Sequence, residues 1–174
     1  MSDARLELLY SRDRIAQEVN RLAQQIGRDY SEREVLLVVV LKGSLIFGAD
    51  LLRALPVKAS VDFVRLASYG SETHSSGIVE FRYHLETPIR DRDVIIVEDI
   101  VDSGYTLTSL YNKLLNQNPR TLRICTLIDK RARREVEIEA DYVGITMEDG
   151  FIVGYGMDHD ERYRQLPDIY LVKS

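Results

Sequence analysis

Cysteine is almost absent from this sequence, since Cys125 is the only one. A lone thiol cannot form an internal disulfide, which disfavours a disulfide-stapled secreted fold and predicts the reducing cytoplasm. Long apolar runs are also missing. The longest, Val35–Leu41, has seven residues, and a membrane helix needs about 20. The first residues, MSDARLELLYSRDR, lack the apolar core of a secretory signal. The three histidines show no metal-ligand spacing. We expect no membrane partner.

A strong positive charge is lacking as well, because the formal net charge is −5. This weakly disfavours a nucleic-acid surface, so we expect no nucleic-acid partner. The sequence shows neither repeats nor low-complexity segments. With 174 residues, 45% apolar and 29% charged, it has the values of a globular protein, and it predicts a single domain over residues 1–174.

Hydrophobic periodicity indicates alternating strands and helices. Ser11 is a plausible N-cap for a first helix that stops near Gly27. Val35–Leu41 is apolar on both faces and predicts a fully buried strand. Further strands are predicted at 61–67, 94–97, 122–128, 142–145 and 151–153, with a half-exposed strand at 79–85. Helices are predicted at about 44–55 and 103–115.

This alternation predicts an α/β fold with a mainly parallel twisted sheet flanked by helices. Ligands of such sheets bind beyond the carboxyl ends of the strands. Three segments with functional side chains follow predicted strands: 42–44, 98–106 and 129–130. We expect them to converge on one edge of the sheet. Taken singly, each segment favours an ordinary polar loop, and only their convergence favours a site.

The segment DSGYT, residues 102–106, predicts a phosphate site. A short loop that opens a helix presents unpaired backbone N–H groups at the positive end of the helix dipole. Gly104 allows close approach of the anion, and Ser103 and Thr106 add hydroxyl donors. The alternative is simple N-capping by Asp102 or Ser103. The chain has neither a G-x-x-x-x-G-K-[ST] nor a G-x-G-x-x-G pattern.

Two neighbouring acids, Glu98 and Asp99, precede this segment. Adjacent carboxylates at a strand end can accept hydrogen bonds from sugar hydroxyls or help to hold hydrated Mg²⁺. They can also be ordinary solvated acids. Together with a phosphate-binding loop, they predict a ribose 5-phosphate site.

The stretch VIIVEDIVDSGYT, residues 94–106, resembles the signature of the type I phosphoribosyltransferases. The resemblance implies that family's fold, with a small hood formed by the terminal segments. It also implies the substrate 5-phosphoribosyl-1-diphosphate, and transfer of its phosphoribosyl group to a nitrogen with release of diphosphate. Residues 103–106 would then hold the 5-phosphate, and Tyr105 would contribute only its backbone N–H.

The other motifs resemble the hypoxanthine/guanine phosphoribosyltransferases of purine salvage, over residues 11–172. VVLKGSLIF resembles their diphosphate loop, which implies that Lys42 and Gly43 contact the diphosphate and that a cis peptide bond precedes Lys42. Arg164, in DERYRQL, would hold further diphosphate oxygens. SYGSETHSSG resembles their lid, in which Ser68 and Tyr69 would cover the reacting centre.

The resemblance also assigns the purine site. Lys130 would donate to the exocyclic oxygen at C6, which selects hypoxanthine or guanine over adenine. Phe151 would stack on the purine, and the backbone of Ile152 would read its edge. Asp158 would help to bind a second Mg²⁺ at the diphosphate, in addition to the cofactor Mg²⁺ at Glu98 and Asp99. Asp102 would be the general base for the purine proton.

The expected products are IMP, GMP and diphosphate. Two alternatives stay open: a phosphoribosyltransferase that prefers xanthine, and an RNA-binding regulator built on the same fold. The resemblance further suggests a homodimer or homotetramer, with the helix at 44–55 as a candidate contact surface.

Overall fold

The computed structural model describes residues 5–68, 79–83 and 85–173, which form two sheets and three α-helices. The strands are β1 (Arg5–Tyr10), β2 (Val35–Leu41), β3 (Ala59–Ser68), β4 (Val79–Tyr83), β5 (Asp93–Val101), β6 (Thr121–Asp129), β7 (Tyr142–Thr146), β8 (Ile152–Val153) and β9 (Ile169–Lys173). The helices are α1 (Arg12–Asp29), α2 (Leu45–Ala54) and α3 (Tyr105–Leu115).

The larger sheet has the order β4-β3-β2-β5-β6-β7. Its strands β3, β2, β5, β6 and β7 are parallel, and only the edge strand β4 runs antiparallel to its neighbour. The predicted parallel sheet and the predicted edge strand are therefore confirmed. The carboxyl ends of β2, β5 and β6 lie side by side, because these strands are direct neighbours.

Two apolar cores cover the two faces of this sheet. Successive side chains of a strand point to opposite faces, so β2 supplies Val35, Leu37 and Val39 to one core and Leu36, Val38 and Val40 to the other. The first core is closed by α1 and α2, the second by α3. Cys125 is fully buried in the first core, and burial raises the pKa of its thiol.

A small antiparallel sheet, β1-β9-β8, pairs the two ends of the described chain above the first core. It is the hood that the family resemblance implied. Among the described helices, none is long and apolar enough to span a membrane.

The first predicted helix boundary at Gly27 is wrong, since α1 continues to Asp29. Gly27 is a close-contact residue instead, because a Cβ there would lie 2.4 Å from Pro56 Cγ. The predicted N-cap is confirmed, as Ser11 Oγ accepts a hydrogen bond from Arg14 N.

The predicted end of the strand at residue 97 is also wrong. Strand β5 does not end at Val97 but continues to Val101, because Glu98, Ile100 and Val101 still pair with β6. The two neighbouring acids therefore belong to the strand, and α3 begins at Tyr105 rather than at residue 103. Strands β1 and β9 were not predicted from the sequence.

Candidate active site

The carboxyl ends of β2, β5 and β6 border a cavity of 390 Å³ that the hood closes from the other side. Most of the residues predicted to act on a substrate line it. The predicted residues among them are Lys42, Gly43, Glu98, Asp99, Asp102, Lys130, Phe151, Ile152, Asp158 and Arg164. The remaining lining residues are Val40, Leu41, Ile100 and Met157. A second cavity of 130 Å³ adjoins it over the loop that follows β5. The three predicted segments thus meet at one edge of the sheet.

The loop after β2 is held against the acids of β5. The peptide bond between Leu41 and Lys42 is cis. Ser44 is fully buried, and its Oγ donates to Glu98 Oε1 at 2.9 Å and accepts from Asp99 N at 2.8 Å. Gly43 packs so closely that a Cβ there would lie 1.9 Å from Asp99 Oδ2. The backbone of this loop therefore reaches the floor of the larger cavity, where no side chain would fit.

Glu98 and Asp99 lie at the floor of the larger cavity with little access to water, and Glu98 also lines the smaller one. Burial raises the pKa of Glu98 well above its ordinary value, and the neighbouring Asp99 charge raises it further. Burial also raises the pKa of Asp99. A cation in the cavity would relieve this repulsion. Mg²⁺ typically takes one or two carboxylates and completes its shell with water and substrate oxygens, which this pair fits.

The segment 101–107 lines the smaller cavity, and α3 begins directly behind it. Gly104 is the N-cap of α3 with φ +91°, a conformation that favours glycine. Ser103 and Thr106 line the cavity as well, whereas the exposed side chain of Tyr105 hydrogen-bonds to Glu135. The first N–H groups of α3 have no partner within the helix and point out of its N-terminal end, which makes the smaller cavity suited to an anion.

Asp102 lines both cavities, and Lys130 lines the larger one. Arg133 Nε donates to Asp102 Oδ1 at 2.8 Å, and Lys130 Nζ lies 3.7 Å from Asp102 Oδ2. Lys130 is only 5% exposed, and its Nζ donates to Gly150 O at 2.7 Å. A buried ammonium group therefore lies between the candidate base and the start of the hood.

The segment 151–164, which includes strand β8 of the hood, contributes an exposed aromatic ring and a charged cluster. Phe151 is 51% exposed although it lines the cavity, and its ring meets His159 edge-on at 5.2 Å between centroids. The next residue, Ile152, is buried in β8. An apolar face left open at the cavity wall is suited to a flat aromatic ligand.

The charged cluster of this segment forms around Arg164. Its Nη2 lies 2.8 Å from Asp158 Oδ1, and its Nη1 donates to Gly156 O at 2.7 Å. Glu161 contacts both cations of this part of the cavity, with Oε2 at 2.6 Å from Lys42 Nζ and Oε1 at 3.2 Å from Arg164 Nη2. A carboxylate of the protein itself therefore bridges the two side chains predicted to hold a diphosphate.

All but the first residue of the predicted lid lies outside the described residues. Ser68 is the last residue of β3, and Tyr69 lies outside the described residues.

Three charged residues that contact the site were not predicted from the sequence: Arg133, Arg134 and Glu161. The run RARRE directly follows Lys130 and could have signalled that more cations enter this site. Arg134 is nearly buried, with a side chain 15% exposed, and it reaches the backbone of the phosphate segment.

The site combines the carboxyl edge of a parallel sheet, a helix start suited to an anion and two acids at a strand end, an arrangement that fits an enzyme acting on a phosphorylated compound. The family model for the phosphoribosyl transferase domain matches residues 7–160. The chain belongs to this family of enzymes.

Relatives of known activity place the chain in one branch of the family. It is 45% identical to the hypoxanthine-guanine phosphoribosyltransferase of Mycobacterium bovis over 91% of this chain and 82% of that protein. The enzyme of the same name from Aquifex aeolicus is 39% identical over 98% and 96%. A crystal structure of a Bacillus anthracis hypoxanthine-guanine phosphoribosyltransferase superimposes with a TM-score of 0.94 and 41% identity, covering 98% of this chain and all of that one. The chain is thus a member of the hypoxanthine-guanine phosphoribosyltransferases.

Proposed function

We propose that the protein transfers the phosphoribosyl group of 5-phosphoribosyl-1-diphosphate to hypoxanthine or guanine, which yields IMP or GMP and diphosphate. The observation that carries this proposal is the buried ammonium of Lys130. It lies in one cavity with the exposed ring of Phe151 on one side and Asp102 on the other. An ammonium group can only donate, so it favours a purine with an oxo group at C6 over one with an amino group.

The phosphorylated substrate would lie across both cavities. The backbone N–H groups of 103–106, with the hydroxyls of Ser103 and Thr106, would bind the 5-phosphate in the smaller one. Lys42, the backbone of Gly43 and the planar fork of Arg164 would bind the diphosphate in the larger one. Glu98 lines both cavities and Asp99 lines the larger one, so the two acids would meet the ribose hydroxyls of a substrate that spans both.

Magnesium is part of the proposal. When bound, Mg²⁺ neutralises charge that develops on the departing diphosphate. Glu98 and Asp99 would hold one ion from the floor of the cavity, and Asp158 would hold a second one near Arg164. The test of metal binding is a change in the intrinsic fluorescence or amide spectrum on Mg²⁺ titration, which Asp99→Asn should weaken.

The purine would stack on Phe151, and the backbone of Ile152 would read its edge. Asp102 is the proposed general base for the purine proton, because it faces Lys130 across the same cavity. Ser68 and Tyr69 remain the proposed lid that excludes water from the reacting centre.

The decisive experiment is a substrate panel. Turnover of hypoxanthine, guanine, xanthine and adenine is measured with 5-phosphoribosyl-1-diphosphate, with and without Mg²⁺. We expect activity with the first two bases and Mg²⁺, and none with adenine. Lys130→Met should raise KM for both oxopurines, while KM for the phosphorylated substrate should stay within about twofold.

A higher kcat/KM for xanthine than for hypoxanthine and guanine would show that the enzyme prefers xanthine, contrary to the proposal. Absence of turnover with all four bases, combined with salt-dependent binding of RNA, would overturn the proposal in favour of a regulator.

We further propose a homodimer or homotetramer in the cytoplasm. Leu45 and Ile46, at the start of α2, are 49% and 38% exposed, which supports a subunit contact on this helix. Light scattering of Leu45→Glu would test it, because a charge at a subunit contact should lower the oligomer mass.

A further inference from the structure

Three consecutive carbonyl groups, those of the last residue of β5 and the first two residues of the phosphate segment, accept hydrogen bonds from the chain that follows β6. Val101 O accepts from Lys130 N at 2.9 Å, and Ser103 O accepts from Glu135 N at 3.0 Å. Between them, Asp102 O accepts from Arg134 Nε at 3.1 Å. The segment 130–135 therefore forms a row of donors along one side of the loop.

These bonds fix the direction of the amides that would meet a phosphate. In a planar trans peptide, the C=O of one residue and the N–H of the next point in opposite directions. Carbonyls 101, 102 and 103 face the segment 130–135, so the N–H groups of Asp102, Ser103 and Gly104 face the other side. On that side lies the 130 Å³ cavity, whose lining includes these residues and none of 130–135.

Only one of the three donors is a side chain, that of Arg134. Its Nη1 donates to Ile138 O and its Nη2 to Asp129 Oδ1, so one guanidinium connects the end of β6, the phosphate segment and the loop behind it. Its Cδ would lie 3.0 Å from a Cβ at Gly104, which shows how closely it underlies the start of α3.

Arg131 provides a natural comparison. It binds the other oxygen of the same carboxylate, with Nε at 3.0 Å from Asp129 Oδ2, and its side chain is 64% exposed. It has the same charge and shares the partner Asp129. The Arg131 side chain hydrogen-bonds to Asp129, whereas the Arg134 side chain also donates to Asp102 O.

We propose that Arg134 is a positioning residue that orients the phosphate-binding amides of 102–104 by holding the intervening carbonyl from behind. The inference rests on the proposed binding of the substrate 5-phosphate at this loop. It assigns to Arg134 an effect on the phosphorylated substrate that is separate from the purine, because the guanidinium contacts the backbone of Asp102 and not its carboxylate.

The test compares Arg134→Gln and Arg134→Lys with the control Arg131→Gln. For both Arg134 variants we expect KM for 5-phosphoribosyl-1-diphosphate to rise about tenfold, equivalent to about 1.4 kcal/mol, with KM for the purine within twofold. Lysine should not rescue, since a single ammonium cannot reach three acceptors in different directions. Arg131→Gln should leave both KM values within twofold. Equal effects of the two positions, or an unchanged KM for the phosphorylated substrate in Arg134→Gln, would overturn the inference.

A second readout is independent of turnover. Inorganic phosphate is titrated into labelled protein, and the amide resonances of Ser103 and Gly104 are followed. Their half-saturation should need about tenfold more phosphate in Arg134→Gln than in the wild type or Arg131→Gln. If the wild type binds phosphate there but turns over no purine, the proposed function fails while the inference stands. If it turns over purines and Arg134→Gln binds phosphate as tightly as the wild type, the inference alone fails.

Discussion

Gly104→Ala tests whether the shape of the phosphate loop is as tightly determined as the structure indicates. An added Cβ would lie 2.8 Å from Ile138 Cγ2, 2.9 Å from Val136 Cγ2 and 3.0 Å from Arg134 Cδ. Carbon atoms in favourable contact are about 3.5–4.0 Å apart. The backbone must also keep φ near +91° to begin α3 at Tyr105.

The expected cost has two parts. A residue other than glycine in the left-handed region costs roughly 1–2 kcal/mol, and crowding of a packed site costs about 1–3 kcal/mol. The free energy of unfolding should therefore fall by about 2–5 kcal/mol. Domains of this size have about 5–15 kcal/mol, so most of the variant should stay folded. At about 2–4 °C per kcal/mol, Tm should drop by roughly 4–20 °C.

Calorimetry with and without inorganic phosphate separates stability from binding. In the wild type, phosphate should raise Tm, and in Gly104→Ala this rise should be lost because the amides at the loop are displaced. Gly27→Ala is the matched control, since its Cβ would lie 2.4 Å from Pro56 Cγ in another part of the fold. It should keep the phosphate-induced rise, whatever its own Tm. A Tm of Gly104→Ala within 1 °C of the wild type, with the rise intact, would refute the argument.

Three further predictions concern acids. Asp102→Asn should lower kcat by about 10²–10⁴ while Kd for the phosphorylated substrate stays unchanged, because the side chain keeps its size and loses its basicity; single-turnover kinetics with more than a third of wild-type rate would contradict this. Glu161→Gln removes a carboxylate that bridges both proposed diphosphate cations, so KM for the phosphorylated substrate should fall roughly twofold to tenfold. The neighbouring Asp160→Asn, whose side chain is 91% exposed, should leave that KM unchanged, and equal effects of both changes would reduce the result to net charge. Burial raises the pKa of Asp62, but backbone N–H donors led by Thr87 outweigh it and hold the pKa below its ordinary value. This stabilisation is present above the unfolded pKa of about 3.9 and is lost as pH falls through the folded value; urea titrations should show a flatter acid limb for Asp62→Asn, and an unchanged limb would disprove it.

Much of the large sheet could be predicted because its strands are buried on both faces. Val35–Leu41 is apolar at every position, and the structure has the strand with the same bounds. The end of β5 could not be predicted in this way. Glu98 and Asp99 look like loop residues, yet pairing with β6 continues through them to Val101.

The hood was the least predictable part at the level of strands. Strand β1 pairs with β9, so Arg5 is opposite Lys173 at the other end of the described chain. No local pattern in Arg5–Tyr10 indicates such a distant partner. The resemblance to a known family supplied the hood where hydrophobic periodicity could not.

For the site, the sequence indicated which side chains meet and not how they are paired. Lys42 and Arg164 were expected at a diphosphate, and the structure adds that Glu161 binds both. Arg134 looked like one more charge in RARRE. Its role as a donor to Asp102 O depends on the distance between two loops, which only the folded chain defines.

Because Cys125 is buried in the first core, its reaction with a thiol reagent reports the opening of that core. The sequence has no second thiol to react, and this one lies in the interior strand β6 with no exposed surface. A thiol reagent can label it only after the sheet has separated from α1 and α2. The labelling rate as a function of denaturant therefore gives the free energy of the opening that exposes the core, from a single site and without any engineered probe.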